Sequence, residues 1–172
     1  MRYHFIFQYP PMPDQKRGFS ELMTNRKKSI VLAGYVVCLL IVVVLKFHGD
    51  AMAFRLHIQQ NLDYYHTYHE LSCNFIPFRR LSLYLTDLPN TIALRNLLGN
   101  ILPWIPLGLL TRWRFPTAKR SHVFVGLALF CLATELLQLV TFTGSFDVDD
   151  WILNMLACLA AVMLWERVCV EK

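Results

Sequence analysis

The sequence predicts an all-α integral membrane protein, a bundle of about four transmembrane helices with both termini on the cytoplasmic side. Three observations carry this expectation. The chain is 55% hydrophobic and only 17% charged, whereas soluble domains are about a quarter charged. Its apolar residues concentrate in four runs. Its lysines and arginines collect at run ends that four crossings bring to one side.

The first run, "IVLAGYVVCLLIVVVLKF", predicts a helix over 29–47. The second and third predict helices over 92–110 and 121–142, each near the roughly 20 residues a crossing requires. The fourth, "WILNMLACLAAVMLW", is short at 151–165 and reaches crossing length when 148–150 form its first turn, so the predicted helix is 148–165. Trp113, Trp151 and Trp165 sit at run ends, where interface aromatics belong.

Orientation follows from the basic residues. Arg26, Lys27 and Lys28 close a basic N-terminal segment, 1–28. Arg112, Arg114, Lys119 and Arg120 crowd the link between the second and third runs, and Arg167 and Lys172 follow the fourth, in the tail 166–172. Four crossings place all three groups on the cytoplasmic side and turn "TFTGSFDVDD", which has no lysine or arginine, outward. The loop 48–91 also faces outward; it carries Arg55, Arg79 and Arg80, which runs against the rule, and its mixed spacing predicts an interfacial amphipathic helix. The opening "MRYHFIFQYPPMPDQKRGF" has no long apolar core or small-residue cleavage site, so no signal peptide is expected and the first helix is retained. "MTNRKKSIVLAG", from Met23, reads as a natural beginning, and Met1 and Met23 both stand as starts.

Most familiar chemistries lack a motif. There is no CxxC pair, GxSxG, P-loop or GxGxxG. "HTYHE" supplies His66, His69 and Glu70 without the HExxH spacing, and reads as a solvated loop rather than a metal site. Cys73 near His69 does not make a nucleophile–base pair. The basic segments flank membrane helices and suit anionic lipid rather than nucleic acid. No metal and no cofactor is expected.

The polar residues at the outer helix ends carry the signal. Asn96 and Asn100 are four apart at the start of the second run; Glu135 and Gln138 are three apart near the end of the third. Asp147, Asp150 and Asn154 lie three and four apart at the start of the fourth. Each set shares a helix face, and antiparallel packing brings the faces together in one acidic, amide-rich pocket. Arg95 is the expected ion partner of Glu135. Each residue also has a plainer reading: Asp147 and Asp149 as caps at a helix start, and the asparagines as interhelical glue. An acid inside a span costs roughly 2.5–3.5 kcal/mol at the centre, and by default signals function. "NILPWIPLG", 100–108, puts two prolines in the second span; a kink is expected there, freeing carbonyls beside the polar cluster.

These residues resemble the VanZ-like family, small bacterial membrane proteins named for a teicoplanin-resistance protein. The resemblance rests on "NFIPF" (74–78), "NLLGNILPWIPLG" (96–108), "ELLQ" (135–138) and "FDVDDWILN" (146–154), in that order and spacing, within a VanZ-like region of 74–165. Carried over by position, the family's polar residues are Asn100, Glu135, Gln138, Asp147, Asp150 and Asn154. The chain departs from the family pattern in two places. Ala157 stands where many members have glycine, implying a different helix contact. Gly144 stands where some have arginine, removing a cation beside the aspartates.

The resemblance implies a multi-pass protein of the Gram-positive cytoplasmic membrane that lowers sensitivity to teicoplanin and other lipoglycopeptides, or supports envelope homeostasis. Membrane lipids are the expected partners, with an envelope lipid, a polymer or a lipoglycopeptide tail in the pocket. The alternative is a membrane-embedded enzyme acting on a lipid-linked cell-wall precursor or polymer, with Glu135 and Asp150 as an acid/base or metal-binding pair; no established catalytic motif supports it. A proton-coupled transport component is a third reading.

Overall fold

The structure, a computed structural model, describes residues 15–44, 51–87 and 91–170. Helices dominate: α1 (Gln15–Val43), α2 (Ala51–Tyr68), α3 (Arg79–Thr86), α4 (Thr91–Gly99), α5 (Trp104–Arg114), α6 (Arg120–Val140) and α7 (Val148–Val170). Two short strands, β1 (Cys73–Asn74) and β2 (Phe146–Asp147), pair in parallel with Cys73 opposite Phe146 and Asn74 opposite Asp147. α7 is the centre of the bundle. α5 packs along it, α1 backs α5, and α6 lies against α7.

α6 and residues 148–169 of α7 are each long and apolar enough to cross a membrane. Only 33% of either apolar stretch is buried inside the protein. Val125, Leu129, Leu136 and Val140 on α6, and Leu156, Leu164 and Val168 on α7, point outward. Such apolar faces suit a lipid surround. The fourth run does gain its first turn: α7 begins at Val148 and continues past Trp165. In α1 the apolar stretch 30–43 continues a helix that already contains Arg26, Lys27 and Lys28, and residues 45–47 of the expected first span lie outside the described residues. Met23 lies within α1, whereas Met1 lies outside the described residues.

The second run is not one helix. α4 ends at Gly99, Asn100 to Pro103 turn, and α5 starts at Trp104. The prolines explain the division. Pro103 stands at the α5 N-cap and Pro106 within its first turn, where a missing N–H leaves no gap in the helix ladder. Asn96, Leu98 and Ile101 carbonyls accept from Asn100, Leu102 and Trp104 backbone N–H groups at 3.1, 2.9 and 3.2 Å, so the turn satisfies these three itself; Pro103 and Pro106 have no N–H to offer the Gly99 and Leu102 carbonyls four residues before them. The Pro103 carbonyl accepts from the Tyr35 hydroxyl of α1. The loop expected to face outward, 48–91, holds two helices, α2 and α3, among its described residues before α4, rather than one. His66 lies in the last turn of α2 and not in a loop; His69 ends that helix at φ 53°.

The core joins α1, α5, α6 and α7 through Leu39, Trp104, Leu107, Val123, Leu127, Cys131, Cys158 and Val162. Its closest approach is at Gly108, where an added Cβ would lie 2.4 Å from the Cys158 carbonyl oxygen and 2.9 Å from the Ala161 Cβ. Glycine there lets the α5 and α7 backbones touch. Ala157, at the family's glycine position, is buried in the same core.

The opposite end to the polar cluster is held by basic residues. Arg112 pairs with Glu166 at 2.9 Å and Arg120 pairs with the same carboxylate. Arg114 Nε donates to Ser29 Oγ at 2.7 Å, and the Lys28 ammonium lies 5.2 Å from the Trp113 ring centre. Basic groups of α1, α5 and α6 therefore gather at one end, around Glu166 of α7.

Gly108→Val is expected to destabilise the protein by about 1–3 kcal/mol through overpacking against backbone. Gly126→Ala, where nothing lies within 4 Å of the added carbon, is expected to be neutral. Thermal unfolding of the detergent-solubilised chain checks both; equal melting temperatures for the two variants would refute the close contact.

Candidate functional site

The segment before and into α7 sends three carboxylates in three directions. Asp147, fully buried, accepts from its own helix: the Asp149 N–H reaches Oδ1 at 2.9 Å, an N-cap. The same oxygen accepts from Asn74 Nδ2 at 3.0 Å, across the β1–β2 pair. The other oxygen pairs with Arg80 Nε at 2.9 Å. Arg80 Nη2 reaches Ser145 Oγ at 3.4 Å.

Asp149, 1% exposed, does not cap α7. It caps α3, accepting from the Phe78, Arg80 and Leu81 backbone N–H groups, the last two at 2.8 and 3.1 Å. Phe78 sits at φ 65°, a conformation costly for a non-glycine residue. Three hydrogen bonds to one carboxylate hold it there. Asp150, part-buried, accepts from Asn100 Nδ2 at the α4–α5 turn.

Deeper, Glu135 and Asn154 face each other across α6 and α7. Asn154 Nδ2 donates to Glu135 Oε1 at 3.2 Å, and the two residues are 0% and 2% exposed respectively. Gln138, one turn further along α6, donates to the Val43 carbonyl of α1 at 2.8 Å. Among the described residues no ion pair joins Arg95 to Glu135, and that expectation is corrected: Arg95 lies on the exposed face of α4, while Glu135 is enclosed by α6 and α7.

Between α1, α3, α4, the α4–α5 turn and α7 lies a cavity of about 370 Å³. Arg80, Tyr84, Arg95, Asn96, Asn100, Gln138 and Asp150 line its polar side; Val42, Val43 and Pro103 line its apolar side, with Gly99 at its wall. A Cβ added at Gly99 would meet nothing within 4 Å. Glu135, Asp147 and Asn154 are buried and are not among the lining residues. The single expected cluster is therefore three connected parts: a loop clasp around Asp147 and Asp149, the cavity, and the buried Glu135–Asn154 pair. Asp150 lines the cavity and Glu135 does not.

Tyr84 shows how closely the parts are coupled. Burial raises its phenol above the ordinary value, the Asp150 and Asp147 carboxylates push the same way, and Arg80 opposes them. The hydroxyl stays protonated at neutral pH and remains a donor. Cys73, in β1, has its thiol pushed up by burial, away from a reactive thiolate. His66, His69 and Glu70 are all exposed.

Sequence reasoning placed Arg80 only as an outward basic residue and did not connect it to the aspartates. The signal was present: Gly144 leaves "FDVDD" without its neighbouring cation, and a fully buried Asp147 needs one from elsewhere. Asn74 was visible in "NFIPF", but its role was not. Nothing in the sequence pointed to Tyr84.

A family model described as VanZ/LLP1 matches residues 32–169. The chain belongs to this family. The match is wider than the four motifs alone indicate: it runs from α1 through α7 and contains every lining residue of the cavity. No curated protein and no solved structure matches the chain. For a VanZ-like protein, the family motifs thus map onto distinct structural duties here. "NFIPF" supplies β1 and the entry to α3, "NLLGNILPWIPLG" the broken helix, "ELLQ" the buried acid and Gln138, and "FDVDDWILN" the three carboxylates and Asn154.

Asp149→Ala is expected to cost roughly 2–4 kcal/mol, because it strips a shared acceptor from three backbone donors. Asp149→Asn, which keeps one acceptor oxygen, should lose less. Melting temperature and tryptic cleavage after Arg79 and Arg80 in the detergent-solubilised chain report the release of α3. A second expectation concerns pH. Tyr84 has a folded pKa above its unfolded value, so it contributes stability below the unfolded value that is lost as pH rises through the folded one. The ultraviolet titration difference between wild type and Tyr84→Phe should therefore ionise above the ordinary tyrosine value of 10.0; a difference centred at or below that value would contradict the buried placement.

Proposed function

We propose that this VanZ-like chain is a multi-pass protein of the bacterial cytoplasmic membrane, crossing four times with both termini inside. In this reading it lowers sensitivity to teicoplanin and related lipoglycopeptides, or supports envelope homeostasis, by holding an amphiphile in an outward-facing cavity. α1, the broken α4–α5 element, α6 and α7 are the four crossings. The basic end faces the cytoplasm, in keeping with the positive-inside rule, and the cavity then opens at the outer leaflet.

The observation that carries this reading is the mixed lining of the cavity. Polar groups from α3, α4, α6 and α7 face it on one side and Val42, Val43 and Pro103 on the other. An amphiphile satisfies both walls: its polar part meets the amides and charges, and its chain lies along the valines toward lipid. Burial of chain there gains roughly 0.8 kcal/mol per CH₂, enough for a few methylenes to decide occupancy. The buried Glu135–Asn154 pair supports the cavity floor by fixing α6 against α7.

The test is a drug-susceptibility profile of a deletion strain complemented with variants. Wild type is expected to restore protection. Gly99→Leu, which fills the cavity without a backbone clash, and Asp150→Ala and Glu135→Ala are each expected to reduce protection to that of the deletion strain at equal membrane abundance. Full protection by Gly99→Leu would sink the cavity reading.

A further inference from the structure

Resting on the reading of the cavity as an amphiphile site, we infer that the polar group it holds is a phosphate, gripped chiefly by Arg95 with Arg80, Tyr84 and Asn96 supplying further donors.

The charges of the lining decide the sign. Two guanidinium groups, Arg80 and Arg95, face one carboxylate, Asp150. Arg80 is already matched from behind by Asp147. Asp150 lies on the α7 side and accepts from Asn100. Arg95, exposed, lines the cavity and makes no hydrogen bond or ion pair among the described residues. An arginine placed beside a cavity, near lipid and without a partner, is a site for an anion.

The arrangement of donors decides the shape. Arg80 and Tyr84 come from α3, and Arg95 and Asn96 from α4, so N–H and O–H groups approach from two helices rather than from one fork. A planar carboxylate is satisfied by a single bidentate arginine. A tetrahedral phosphate presents oxygens in several directions and uses donors from both helices. The Tyr84 hydroxyl, kept protonated by burial, is one of them. Gln138 is less available, since its amide N–H already serves the Val43 carbonyl. The apolar wall and the exposed Leu94 and Leu98 of α4 supply the path for a chain attached to the phosphate. A cavity of about 370 Å³ takes a headgroup and leaves acyl chains outside.

Binding of defined probes to the full chain in nonionic detergent, followed by calorimetric titration, tests this. The probes are short-chain phosphatidylglycerol, diacylglycerol of the same chain length, and inorganic phosphate. Phosphatidylglycerol is expected to bind at least about tenfold more tightly than diacylglycerol. Arg95→Ala is expected to weaken it about ten- to a hundredfold, the range for a lost charged hydrogen bond. Arg95→Lys should weaken it less, and Lys119→Ala, at the opposite end, should leave it unchanged. Inorganic phosphate competing at the same concentration as phosphatidylglycerol also supports phosphate recognition and assigns the source to the free ion; failure to compete assigns it to the lipid. Equal affinity for phosphatidylglycerol and diacylglycerol, or no effect of Arg95→Ala, overturns the inference. In that event, loss of both lipids in Gly99→Leu leaves the amphiphile cavity standing, whereas no loss removes the cavity reading as well.

Discussion

Two fully or nearly fully buried aspartates at the entrance to α7 hold the cavity end of this protein together. Asp147 and Asp149 are 0% and 1% exposed, a state that carboxylates reach only when their oxygens are occupied. Here they are occupied by groups distant in sequence: Asn74 and Arg80 on one, the start of α3 on the other. The segment from β1 into α3 is thereby tied to the helix at the centre of the bundle. Without that clasp, α3 has no buried residue of its own to anchor it, and Arg80 and Tyr84 would not face the cavity.

The cavity depends equally on a helix that fails to continue. Pro103 and Pro106 end α4 and restart the chain as α5. The restarted helix lies close to α7 because Gly108 permits backbone contact with Cys158. α4 is thus set aside from the core. Space opens between it, α1 and α7, with Asn100 at the turn bridging to Asp150. Close packing below and a break above are two consequences of the same thirteen-residue motif, "NLLGNILPWIPLG". One supplies rigidity, the other room.

Charge is distributed in keeping with this geometry. At the basic end Arg112 of α5 and Arg120 of α6 share Glu166 of α7. At the cavity end the three carboxylates at the start of α7 draw partners from distant parts of the chain, and Asp147 takes its cation from α3. A desolvated ion is costly, so each cation's position matters more than its count. Arg80 is committed to Asp147, whereas Arg95 lines the cavity without an ion pair among the described residues.

The amino-acid pattern alone was enough for the helical class, the four apolar runs and the family, because apolar length, basic clustering and ordered motifs are properties of the linear chain. It also singled out Asn96, Asn100, Gln138 and Asp150, since helical spacing of three and four residues brings polar groups onto shared faces. It did not reveal that the three aspartates have separate partners, that Arg80 supplies the cation to Asp147, or that Glu135 is buried against Asn154 rather than paired with Arg95. Those assignments join residues 19 to 73 positions apart. They are settled by which side of each helix meets which neighbour, and rotation of a helix about its axis is decided by packing against the rest of the bundle.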